Sequence, residues 1–144
     1  MPCPEPEVTV RNLNLTALIV VAAVAFGLSC STAAKADVPL MTKEQLKPLL
    51  GRPSVIVIDV RSRPAWKRSD VKIPGAVREE PMKVPTWIHK YETDKTMVLY
   101  CDCPSEETSN HVGRQLLQKG FKDVYALKGG WKEWVEANYP LEPK

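Results

Sequence analysis

Apolar runs punctuate this chain, and each stops at a polar or reactive residue. Val55-Ile56-Val57-Ile58 is β-branched throughout and stops at Asp59. A continuous run of this kind predicts a strand buried on both faces. Met97-Val98-Leu99-Tyr100 stops at Cys101, and Val124-Tyr125-Ala126-Leu127 stops at Lys128. Between the runs the spacing turns helical. Residues 109–119 place Val112, Leu116 and Leu117 on one face, and Gly120 ends the helix. Residues 131–137, after the sharp Gly129-Gly130 loop, form a helix with Trp131, Trp134 and Val135 inward. A helix is also predicted over 41–50, capped by Thr42 and tightened or ended by Pro48. Another spans 84–91, with Pro85 near its first turn. Residues 63–70 read as a short helix or turn carrying Trp66, and 73–77 as a short extended piece. Strands alternating with helices predict an α/β fold, a mostly parallel central sheet with helices on both faces.

One apolar stretch stands outside this alternation. Residues 13–28 are almost wholly apolar, Arg11 precedes them, and Ala34-Lys35-Ala36 has the small-x-small form of a cleavage site. The expectation is a secretory signal over 1–36 and a mature domain over 37–144, exported to the periplasm or beyond the cell. Two alternatives stay open. Leu28-Ser29-Cys30 resembles a lipoprotein site, and the stretch approaches bilayer-spanning length, as an uncleaved anchor would. Net charge is only +3, with both signs interspersed and no basic run between aromatics. That gives no case for a nucleic-acid partner. A membrane contact is expected only through the N-terminal segment, and the expected state is a monomer.

Cysteine placement narrows the chemistry. Cys3 and Cys30 fall in the leader, which leaves Cys101 and Cys103. Two cysteines one residue apart are no disulfide framework for a secreted fold. His89 and His111 lack ligand spacing, so no metal and no cofactor is expected. A reactive thiol or thiol pair remains. Cys101 sits where a buried strand ends and a helix is about to begin. Unpaired N–H groups at a helix start favour an anion, and the thiolate is the nucleophile. The layout of strand, cysteine, loop and helix fits covalent catalysis. The candidate substrate loop is Asp102, Cys103, Pro104, Ser105, Glu106, Glu107 and Thr108.

Four segments carry a resemblance: Val57-Ile58-Asp59-Val60-Arg61, Ile73-Pro74-Gly75-Ala76-Val77, Val98-Leu99-Tyr100-Cys101 and Leu127-Lys128-Gly129-Gly130-Trp131-Lys132-Glu133-Trp134. In this order they resemble a single-domain rhodanese. The resemblance implies a three-layer α/β sandwich and a sulfurtransferase that holds sulfane sulfur as a persulfide on a loop cysteine. Tyr-Cys after the strand favours Cys101, while counting back from Gly120 without a gap favours Cys103. Cys101 is taken as the nucleophile, with Cys103 as the alternative. Cys103 is otherwise a bystander, or a resolving thiol that attacks the persulfide and leaves a Cys101–Cys103 disulfide. Asp59 and Arg61 are expected to support the neighbouring loops. Family loops commonly carry an arginine for an anionic substrate, and this loop has neither Arg nor Lys. Glu107 falls near that place and disfavours phosphate, hence a phosphatase. Arg78 and Lys128 are candidates for the missing positive charge. The expected partners are a persulfide or polysulfide donor and a thiol acceptor, with thiosulfate a poor donor. A non-catalytic sulfur carrier and a Cys-x-Cys redox protein remain alternatives.

Overall fold

A computed structural model describes residues 38–144, and the leader reading lies outside the described residues. Strands β1 (Leu40–Met41), β2 (Val55–Asp59), β4 (Val77–Arg78), β5 (Thr96–Tyr100) and β6 (Asp123–Leu127) form one parallel sheet. Their order is β1-β6-β5-β2-β4. Strands β3 (Val71–Lys72) and β7 (Glu142–Pro143) pair antiparallel beside it. The helices are α1 (Lys43–Leu46), α2 (Arg63–Arg68), α3 (Val84–Trp87), α4 (Glu107–Gln118) and α5 (Gly130–Glu136).

The period of two along each strand divides the core in two. Ile58, Met97, Leu99, Val124 and Ala126 pack with Val84 and Trp87 of α3 and with Val112 and Leu116 of α4. Val57, Val98, Tyr100 and Leu127 pack with Leu46 of α1 and Trp134 of α5. Helices therefore cover both faces of a parallel sheet, the α/β sandwich expected from the alternation.

The differences lie in short elements. The helix expected over 41–50 gives Met41 to β1. It then runs as α1 into a single 3₁₀ turn, Lys47–Leu49, because Pro48 cannot donate the next helical bond. Thr42 does cap, in a reciprocal box with Gln45. The piece over 73–77 is not extended throughout. A turn closed by Ala76 N–H to Ile73 O, with Gly75 at φ 74°, separates β3 from β4. The helix over 84–91 is α3 followed by a 3₁₀ turn, Ile88–Lys90. Val135 points outward at 39% exposure, while Trp134 is fully buried.

Candidate active site

The carboxyl ends of β2, β5 and β6 bring the site together, where loops of parallel sheets commonly hold ligands. Cys101 follows β5 directly. The Val60 N–H bonds Tyr100 O at 2.9 Å, and the Trp131 N–H bonds Cys101 O at 2.9 Å. Gly130, at φ 49°, makes the second contact possible. A Cβ there would lie 2.4 Å from Cys101 O. The backbone on either side of the cysteine is thus held by the end of β2 and the start of α5.

Cys101 is 1% exposed and belongs to the core beneath α4, whereas Cys103 is half-buried at its edge. A disulfide joins them, with Cα atoms 5.6 Å apart. The Thr108 N–H, in the first turn of α4, points at Cys103 Sγ from 3.5 Å. A cleft of about 270 Å³ opens beside Cys103, between Asp102, Pro104, Gly129, Lys132, Glu133 and Glu136.

Two loop carboxylates have structural partners. Asp102 accepts from Ser62 N–H at 3.0 Å, the N-cap of α2. Glu106 accepts from Gly129 N–H at 2.6 Å, the N-cap of α5. Both interactions set a carboxylate against a helix start, where negative charge is favoured. Glu106 itself sits at φ 51°, a left-handed conformation that is costly for a residue with a Cβ. It is the N-cap of α4, which starts two residues before the predicted 109. Glu107 lies exposed in the first turn of α4, beside partly buried Thr108, and Pro104 and Ser105 are exposed.

Beneath the loop, Asp59 and Arg61 form a fully buried pair. Arg61 Nη2 and Nε reach Asp59 Oδ2 at 2.7 and 2.9 Å, and the Tyr100 hydroxyl donates to the same oxygen at 2.6 Å. Arg61 also donates to Val71 O and stacks 3.9 Å over the Trp131 ring. Burial, then the Asp59 carboxylate, push the Tyr100 hydroxyl far above its ordinary range. Among the described residues, Arg61 Nη1 and Ser109 Oγ are buried and find no partner.

The other expected cations do not serve the cleft. Arg78 donates to Asp59 O, Glu79 O and Glu80, and Lys128 is exposed outside the lining. Lys132 is the cation that borders it, and the sequence reading did not single it out. Its signal lay in the Gly-Gly-Trp-Lys segment, since a helix that begins against Cys101 carries its first-turn side chains to the cysteine loop.

The family profile for a Rhodanese-like domain matches residues 42–137. The chain belongs to the rhodanese-like family. Among curated relatives, Thiosulfate sulfurtransferase GlpE of Coxiella burnetii is 27% identical over 92 residues, covering 64% of this chain and 81% of that protein. The GlpE protein of Glaesserella parasuis is 22% identical over 102 residues, 71% of this chain and 91% of its own. A solved Bacillus halodurans protein superposes with TM-score 0.61 at 25% identity, covering 73% of this chain and 77% of its own. A Rhodopseudomonas palustris protein, named as a possible tyrosine phosphatase, shares the fold at TM-score 0.62 and 22% identity over 96% of this chain and all of its own, 100%. Within this rhodanese-like domain Cys101 occupies the strand end, the buried Asp59–Arg61 pair packs against Trp131, and the loop is stitched to two helix starts.

Proposed function

We propose that the domain is an exported sulfurtransferase that takes a sulfane sulfur on Cys101 as a persulfide and hands it to a thiol or other acceptor. One observation carries this reading. Cys101 stands fixed at the end of the central strand β5, packed in the core beneath α4, in a domain whose curated relatives are named thiosulfate sulfurtransferases. In the first step the Cys101 thiolate attacks the outer sulfur of the donor. A Cys101 S–S bond forms, and the donor's S–S bond breaks to release its thiolate. In the second step the acceptor thiolate attacks that outer sulfur, and Cys101 leaves as thiolate.

The cleft chemistry favours a persulfide over thiosulfate as the donor. Among the described residues, Asp102, Glu133 and Glu136 line it against a single cation, Lys132. Glu133 is paired with Lys43 at 3.0 Å, and Lys132 lies 3.9 Å from Glu136. This balance offers little to a dianion. It also disfavours phosphate, so the phosphatase name of the structural neighbour is not carried over.

The test compares kcat/KM with thiosulfate and with glutathione persulfide, using cyanide as acceptor. Wild type should prefer the persulfide, and Cys101→Ser should lose turnover with both. Turnover retained by a folded Cys101→Ser protein would remove Cys101 from the reaction. Export is read separately from the N-terminus of the secreted protein. Asp37 is expected there, whereas a lipid-modified Cys30 or a full-length membrane form would show another fate for the leader.

A further inference from the structure

The Cys101–Cys103 disulfide adds an outcome that transfer to an outside acceptor does not require. We infer that Cys103 is a resolving thiol, so that the domain also reduces persulfides, expelling the captured sulfur as sulfide. This rests on the proposed uptake of sulfur by Cys101 and adds a second fate for it.

The geometry sets the two sulfurs unequally. Cys101 Sγ belongs to the core, at 1% exposure for the residue, while Cys103 borders the open cleft. An outside acceptor must diffuse to the outer sulfur of a persulfide rooted on a buried cysteine. Cys103 Sγ needs no such approach, because the loop already allows it to bond Cys101 Sγ. An attacking group held on the same short loop acts at a high effective concentration, which favours it over a dissolved thiol. The Thr108 N–H aimed at Cys103 Sγ favours the thiolate that makes the attack.

The step balances without an added oxidant. Cys103 thiolate attacks Cys101 Sγ of the persulfide. The Sγ–Sγ bond forms, the bond from Cys101 Sγ to the outer sulfur breaks, and that sulfur leaves as hydrosulfide. The two cysteine sulfurs together lose two electrons, and the sulfane sulfur gains them. Turnover then needs a dithiol reductant. Its first thiolate attacks Cys103 Sγ, the half-buried sulfur at the cleft, and releases Cys101 as thiolate. Its second thiol displaces Cys103 from the mixed disulfide. Cys101 is then ready for another sulfur, and the reductant departs as a disulfide.

The test starts from full mature protein reduced with a dithiol and freed of it without air. An equimolar amount of glutathione persulfide is added, and intact mass and released sulfide are followed together. Wild type should release sulfide in proportion to protein and finish two hydrogens lighter than its reduced form. Cys103→Ser and Cys103→Ala should instead hold one extra sulfur and release sulfide roughly tenfold more slowly or less. Cys101→Ser should do neither. If wild type keeps the extra sulfur, or the Cys103 variants discharge it as fast as wild type, the resolving role is wrong while sulfur uptake stands. If no form takes up sulfur, Cys103→Ser included, the sulfurtransferase reading falls and this inference with it.

Discussion

At the scale of single residues, the site rests on one buried charge pair. Asp59 accepts from Arg61 Nε and Nη2, from the Arg61 backbone N–H and from the Tyr100 hydroxyl. Arg61→Leu would leave that carboxylate dry and short of donors, so unfolding free energy should drop by roughly 3–5 kcal/mol. Adding Asp59→Asn to Arg61→Leu should recover part of the loss, and urea unfolding of the single and double variants measures both. Glu107→Arg addresses donor choice. The side chain is exposed, so the field of a new cation is screened. Thiosulfate kcat/KM should rise roughly tenfold, about 1.4 kcal/mol, with persulfide turnover little changed. A fall in thiosulfate turnover in the folded variant would contradict the charge account of the loop. Cys101 was legible because an apolar run visibly ends there. The partners of Asp102 and Glu106 were not, since Ser62 and Gly129 lie 40 and 23 positions away and no local pattern joins them.

At the scale of elements, legibility followed length. The five-residue strands β2, β5 and β6 have enough positions to display a continuous apolar run, and the twelve-residue α4 enough to display a helical period. Strands β1, β3, β4 and β7 have two residues each and display neither. They exist because partners lie alongside, which is information about the folded chain. The Gly129-Gly130 pair was legible as a turn, but its reason was not. Gly130 lets the start of α5 touch the Cys101 carbonyl. Gly130→Ala should therefore push α5 away from β5, cost about 2 kcal/mol or more, and lower sulfur uptake by Cys101. Thermal unfolding and intact mass after persulfide exposure check the two halves. A normal melting point with full uptake would mean that the contact is dispensable.

At the scale of the whole molecule, alkaline pH reports on two carboxylate-bonded tyrosine hydroxyls, Tyr100 and Tyr91. Burial and the Asp59 carboxylate raise Tyr100, and burial and Glu79 raise Tyr91. Both stay protonated in the folded protein, while the unfolded chain ionises near pH ~10. Their contribution is complete below that pH and is lost as pH rises from it toward the folded values. The decline should be at most about 1.4 kcal/mol per pH unit for each tyrosine, less for half-exposed Tyr91. Urea unfolding from about pH 9 to 11 should show the slope, and Tyr100→Phe should flatten it. The order of the sheet has a different reach, into time. Strand β1 comes first among the described elements, yet its Leu40 and Met41 pair with Ala126 and Leu127. A chain emerging N-terminus first holds β1 without its neighbour until β6 has followed. Such distant pairings form late and slowly. On this topology the sheet edge closes only after nearly the whole domain is free, so any machinery that feeds the chain through a pore must release it before it can finish folding.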